Sequence, residues 1–199
     1  SGDYKAVNKM HEFSFLIYNL VIFPIIAGLL VVNKDFVSFF LGKDFQAANI
    51  AIAIMVFRMF FIGWTNIMGI QILIPHNKHR EFMLSTTIPA VVSVGLNLLL
   101  IPPFGFVGAS IVSVLTEALV WFIQLYFSLP YLKEVPILES MAKIVCASAM
   151  MYGLLLSAKP FLHFPPTLNV LVYAVLGGLI YLLAILVLKV VDVKELKQI

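Results

Sequence analysis

Residues 104–128 read FGFVGASIVSVLTEALVWFIQLYFS, Phe104 to Ser128. This run decides the fold. It exceeds the ~20 apolar residues that a helix needs to cross hydrocarbon, and in lipid a continuous run of that length must pair its backbone internally, as a helix. Yet Glu117 sits near its middle. A charge deep in a bilayer costs a few kcal/mol or more and is usually kept for function or for a partner. Ser110, Ser113, Glu117 and Gln124 recur at spacings of three, four and seven, with Trp121 on the same side, so the helix carries one polar stripe. Ile111, Val112, Leu115, Leu119, Val120 and Ile123 occupy the other faces, suited to lipid or packing.

The rest of the chain has the same character. Of 199 residues, 62% are hydrophobic and 12% charged, with mean hydropathy +1.04. About six stretches are long enough to span: A (Ser14–Asn33), B (Ala47–Ile74), C (Phe82–Ile101), D (Phe104–Ser128), E (Ser140–Ala158) and F (Thr167–Leu188). The expected fold is an all-α integral membrane bundle of about six transmembrane helices. Residues 1–13 read as a cytoplasmic lead-in. Residues 14–130 form a four-helix part with an amphipathic interfacial segment at 34–45. Residues 131–199 supply a terminal helix pair and a cytoplasmic tail. Only Pro102-Pro103 separates C from D, which predicts antiparallel neighbours.

Basic residues report the topology. Lys5, Lys9, Lys78, Arg80, Lys133, Lys143, Lys189, Lys194 and Lys197 lie on one set of connections; Lys34, Lys43 and Lys159 lie on the other. This positive-inside pattern places both ends of the chain in the cytoplasm. The net charge of +3 is small and so placed that it gives no nucleic-acid reading. One cysteine, Cys146, excludes an intrachain disulfide and a thiol metal site. His76 and His79 lack a third ligand nearby and are a weak metal signal; with Lys78 and Arg80 they form a basic cytoplasmic loop able to meet lipid phosphates. There is no glycine-rich phosphate loop, no nucleophile–histidine–acid arrangement and no paired catalytic carboxylates, so nothing argues for an enzyme or a cofactor. The polar Ser1–Phe13 is not a signal peptide and reads as a loop within a longer chain.

Helix B holds the second intramembrane charge, Arg58, on one side with Thr65 and Gly69, and Asn66 beside them. Helix C has a weaker stripe of Thr86, Ala90, Ser93 and Asn97. Such small and polar faces serve helix packing. Arg58 lies about 11 residues into B and Glu117 about 13 into D, so at ~1.5 Å per residue both reach mid-depth. Two readings stay open: a structural ion pair, or groups lining a hydrated cavity. Arg58, Glu117, Asn66, Asn97 and Gln124 are the candidates for binding or coupling.

The stretch Leu96–Glu117, LNLLLIPPFGFVGASIVSVLTE, resembles the C-terminal region of bacterial polysaccharide flippases of the multidrug/oligosaccharidyl-lipid/polysaccharide exporter superfamily. Asn97, Ile101-Pro102, Gly105, Gly108-Ala109 and Glu117 carry the likeness. Gly63–Lys78 (GWTNIMGIQILIPHNK), Phe39–Phe45 (FFLGKDF) and Ser1-Gly2-Asp3 resemble further family segments in the same order. E and F match only as hydrophobic helices. The resemblance implies the C-terminal half of a two-lobe alternating-access transporter of about 12 to 14 helices, moving undecaprenyl-pyrophosphate-linked oligosaccharide from the inner to the outer leaflet of the cell's inner (plasma) membrane. It implies a lipid-linked oligosaccharide and membrane lipids as partners, H+ or Na+ coupling, and contact with polysaccharide-assembly enzymes. It also implies that E and F border a groove for the lipid tail. A drug/cation antiporter of the same superfamily and a non-transporting scaffold for glycan assembly are the alternatives.

Overall fold

The computed structural model describes residues 4–133, 135–161 and 164–190. Ser1-Gly2-Asp3, Lys194, Lys197 and the tail expected in the cytoplasm lie outside them. The described residues contain no strand and are almost wholly helical. In chain order they form α1 (Tyr4–Phe40), a 3-10 turn (Lys43–Phe45), α2 (Ala48–Met55), α3 (Arg58–Asn66) continuing into a π-helical segment (Ile67–Leu73), α4 (His79–Leu132), α5 (Ile137–Ala158), a 3-10 turn (Lys159–Phe161) and α6 (Pro166–Val187). Five helical stretches are long and apolar enough to cross a membrane. The protein is therefore a multi-pass all-α membrane protein.

The fourth stretch, α4, is folded on itself. Pro102 and Pro103 remove two successive backbone donors from the helical ladder. Gly105 then takes φ 55° and ψ −132°, in a region that L side chains avoid. Two contacts show the outcome. Gly108 packs directly against the backbone carbonyl of Leu100, and Gln124 Nε2 donates to Ser85 Oγ at 3.2 Å although the two are 39 residues apart. Gln124 and Ser85 lie nearly equidistant from Gly105, so arms 79–104 and 106–132 run antiparallel. They are the expected helices C and D.

Elsewhere the boundaries move. The helix expected to start at Ser14 starts at Tyr4 and absorbs most of the lead-in, because His11, Phe15, Tyr18 and Ile22 continue its inward face. It also continues to Phe40, through much of the segment expected as a separate interfacial piece. Lys34, Asp35 and Ser38 are compatible with helix, and Ser38 Oγ donates to Lys34 O at 2.9 Å. Helix B is not one helix. Its α-helical ladder loosens at Val56–Phe57, where Phe57 N donates to Ile54 O and Met59 N to Val56 O, and it changes to π geometry after Asn66.

The chain groups into two compact units. The first comprises residues up to Tyr18 with Ile50–Pro136. In it Tyr18 lays its ring on Gly63 of α3 and donates to Met59 O. Phe15 packs on Trp64 with centroids 4.7 Å apart. Gly69 brings the π segment against Phe82 and Gln124. Small residues permit such close backbone approach where water drives nothing. The second unit comprises Asn19–Asn49 with the chain from Ile137 onward, whereas the sequence division groups 14–130 together. Its core is Ala27, Val31, Val32, Ala147, Met151, Leu155, Tyr173, Tyr181 and Ala184. Gly177 of α6 meets Leu155 and Met151 of α5. Tyr181 OH donates to Leu20 O at 2.8 Å, and Lys159 Nζ to Val31 O at 2.8 Å.

Candidate functional site

Within the first unit, Arg58 Nη2 lies 2.9 Å from Glu117 Oε1. Arg58 is the first residue of α3, immediately after the loosened turn. Glu117 sits on the second hairpin arm about 12 residues past Gly105, roughly 18 Å along it at 1.5 Å per residue. Both charges thus lie well inside apolar spans, Arg58 in Ala48–Leu73 and Glu117 in the second arm of His79–Leu132. The pair is not sealed: the Arg58 side chain is 37% exposed and that of Glu117 20%.

An aromatic layer adjoins the pair. Trp121, one turn beyond Glu117, meets Phe60, Phe61 and Trp64 with centroids 6.1, 5.8 and 6.0 Å away. Three buried polar atoms in this neighbourhood, Arg58 Nε, Thr116 Oγ1 and Trp121 Nε1, have no hydrogen-bond partner among the described residues. The site therefore joins a breakable ion pair, unused hydrogen-bonding capacity and an aromatic wall.

The other sequence candidates do not join it. Gln124 is 2% exposed, bonds Ser85 and packs against Gly69, so it ties the hairpin together. Asn97 Nδ2 turns back onto Ser93 O of its own helix at 2.8 Å. Asn66, at the end of α3, is exposed. Ser93 and Thr86 likewise bond their own helix, to Ala90 O and Met83 O. In the basic loop, Lys78 Nζ pairs with Glu81 Oε1 at 3.0 Å, and that carboxylate holds the Lys78 ammonium above its usual range. Arg80 is exposed. Among the described residues no three His, Cys, Asp or Glu side chains could hold a metal.

Some polar groups escaped the sequence reading. His11, placed there in a polar lead-in, is 1% exposed. The helical spacing 11, 15, 18, 22 is the signal that finds it. E and F, read as almost wholly apolar, turn Ser148, Tyr173 and Tyr181 inward. A cavity of about 360 Å³ in the second unit is lined by Gly28, Val32, Phe36, Met151, Tyr173 and Gly177, among others. Tyr173 OH is buried there without a partner among the described residues.

No family model matches the chain, and no curated protein or solved structure is similar to it.

Proposed function

We propose that this chain is the C-terminal part of a transporter that flips undecaprenyl-pyrophosphate-linked oligosaccharide across the inner (plasma) membrane for surface polysaccharide synthesis. The observation that carries the reading is the half-open Arg58–Glu117 pair in a membrane helix bundle. A structural pair set in hydrocarbon needs excellent geometry and further hydrogen bonds to offset the desolvation of its charges. Here Arg58 keeps Nε free, and both side chains are accessible. An anionic pyrophosphate can displace Glu117 from the guanidinium, which binds phosphate in two-pronged fashion. The released carboxylate is then able to take a proton or Na+, coupling binding to ion movement. The second-unit cavity, apolar but for the Tyr173 hydroxyl, suits part of a lipid tail. The sequence resemblance supplies the substrate class, the two-lobe architecture and the assembly enzymes as neighbours. Both described ends face the cytoplasm on this reading.

The aromatic layer around Trp121 favours a second reading, a drug/cation antiporter in which Glu117 takes the cation.

Complementation separates the two. The full-length parent carrying Arg58→Ala or Glu117→Gln is expressed in flippase-null cells, and membrane levels are checked. The flippase reading predicts loss of surface glycan, about tenfold or more, at normal protein level. Normal glycan with loss of drug resistance would instead support the antiporter. Normal glycan and normal resistance would contradict both.

A further inference from the structure

Glycines open the cavity of the second unit. Gly28 of α1 and Gly178 of α6 line it, and a Cβ added at either would meet nothing within 4 Å. With Val32, Met151, Leu155 and Tyr173 they leave about 360 Å³ among α1, α5 and α6. The walls are almost wholly apolar, so the space suits a hydrocarbon chain.

Two buried tyrosines of α6 show what that chain carries. Tyr181 is satisfied. Pro24 lacks the N–H that would close the helical turn on Leu20 O, and Tyr181 OH donates to that carbonyl at 2.8 Å. Tyr173, about two turns earlier, is 3% exposed, and its hydroxyl has no partner among the described residues. An unmet hydroxyl is unfavourable in hydrocarbon, where no water can reach it. Phenylalanine would fill the same space without that penalty. The hydroxyl therefore points to a ligand that brings a hydrogen-bond acceptor into an otherwise apolar site.

Its surroundings narrow the chemistry. Helical side chains lean toward the start of their helix, so Tyr173 directs its hydroxyl toward the Pro166 end of α6. Lys159, in the turn that precedes α6, lays its ammonium on Val31 O at 2.8 Å, next in sequence to the cavity-lining Val32. An ammonium has three N–H donors, and that bond leaves others for an anion. A cation beside the cavity, an O–H donor within it and apolar walls match the phosphate, ester carbonyl and acyl chain of a glycerophospholipid. A polyprenyl chain offers the hydroxyl no acceptor.

We infer that the cavity holds an acyl chain of an ester-linked glycerophospholipid, whose ester carbonyl accepts from Tyr173 and whose phosphate pairs with Lys159. The inference rests on the second unit alone and holds whatever the chain transports.

Lipid titration of the full chain in detergent micelles tests it, read by thermal unfolding. The probes are dioleoyl-phosphatidylglycerol, its dialkyl ether analogue, which lacks only the ester carbonyls, and undecaprenyl phosphate. The ester lipid should raise the midpoint by about 5–10 °C near saturation. It should half-saturate at roughly tenfold lower concentration than the ether, as one hydrogen bond allows. Tyr173→Phe keeps the ring and loses only the hydroxyl; ester and ether should half-saturate alike in it, and its lipid-free midpoint should not fall. Gly28→Leu fills the cavity and should abolish saturable binding of both. Equal half-saturation of ester and ether by the native chain overturns the inference, as does an ester preference that survives in Tyr173→Phe. Tighter binding of undecaprenyl phosphate than of the ester lipid, or a lower lipid-free midpoint in Tyr173→Phe, overturns it too. Should Gly28→Leu fail to fold, the ester–ether comparison between the native chain and Tyr173→Phe decides alone.

Discussion

Arg58 and Glu117 stand 59 residues apart in sequence, and the structure joins them at 2.9 Å. Helical rise alone puts both at the middle of their expected spans; their pairing was one of two open outcomes. Pairing across α3 and the hairpin predicts energetic coupling. A double-mutant cycle of Arg58→Ala and Glu117→Gln on thermal stability should give an interaction of about 1–3 kcal/mol. Additive effects would show that the two charges act separately. Gln124 was a candidate by stripe position, yet a stripe cannot tell a cavity-facing amide from one that faces a neighbouring arm. Its bond to Ser85 marks it as hairpin glue. Gln124→Leu should therefore lower stability by about 1 kcal/mol, through loss of the bond it donates to Ser85 Oγ, whose own hydrogen stays on Phe82 O, and leave transport per molecule nearly intact. A fall in transport without loss of stability would return Gln124 to the site.

At the scale of elements, the helices were legible because hydropathy in lipid is a strong signal, and the C–D reversal because Pro102, Pro103 and Gly105 punctuate it. The break before Arg58 was not legible. It falls at Val56–Phe57, where there is neither glycine nor proline, and a shift in hydrogen-bond register leaves hydropathy unchanged. The π segment was hidden for the same reason. α1 starts at Tyr4 rather than Ser14 because the lead-in, which the sequence leaves open to helix, continues the spanning helix once the spacing of polar residues such as Asn8 and His11 is followed. Two glycines carry these elements in different ways. Gly105→Ala should cost about 1 kcal/mol or more, because φ 55° strains an L residue. Gly63→Val should cost more, since the added side chain enters the ring of Tyr18 and separates α1 from α3. Thermal unfolding of both variants in detergent gives the order, and equal, small effects would contradict this account of the packing.

At the scale of the molecule, the folding of α4 on itself fixes parity. A straight 54-residue helix would make five crossings and put the ends of the chain on opposite sides. Two crossings by the hairpin would give six, as the alternation of basic residues predicts. In a Cys146→Ser background, an impermeant maleimide added to intact cells should label Asp44→Cys and spare Lys133→Cys until the membrane is opened. Labelling of Lys133→Cys in intact cells would refute the topology. What the whole molecule does was legible only as far as the membrane and two conspicuous charges. The sequence resemblance names a substrate class, and the burden of that reading falls on the ion pair.

Exchanging the two charges puts that burden to the test most directly. Arg58→Glu with Glu117→Arg rebuilds an ion pair of opposite sense in the same place, and surface glycan is measured in flippase-null cells alongside thermal stability. If Arg58 meets an anionic substrate from its position at the head of α3, the exchanged protein should recover most of the stability lost in either single variant and still make no surface glycan. Restored glycan together with restored stability would mean that the pair only holds helices together, and would contradict its place in transport.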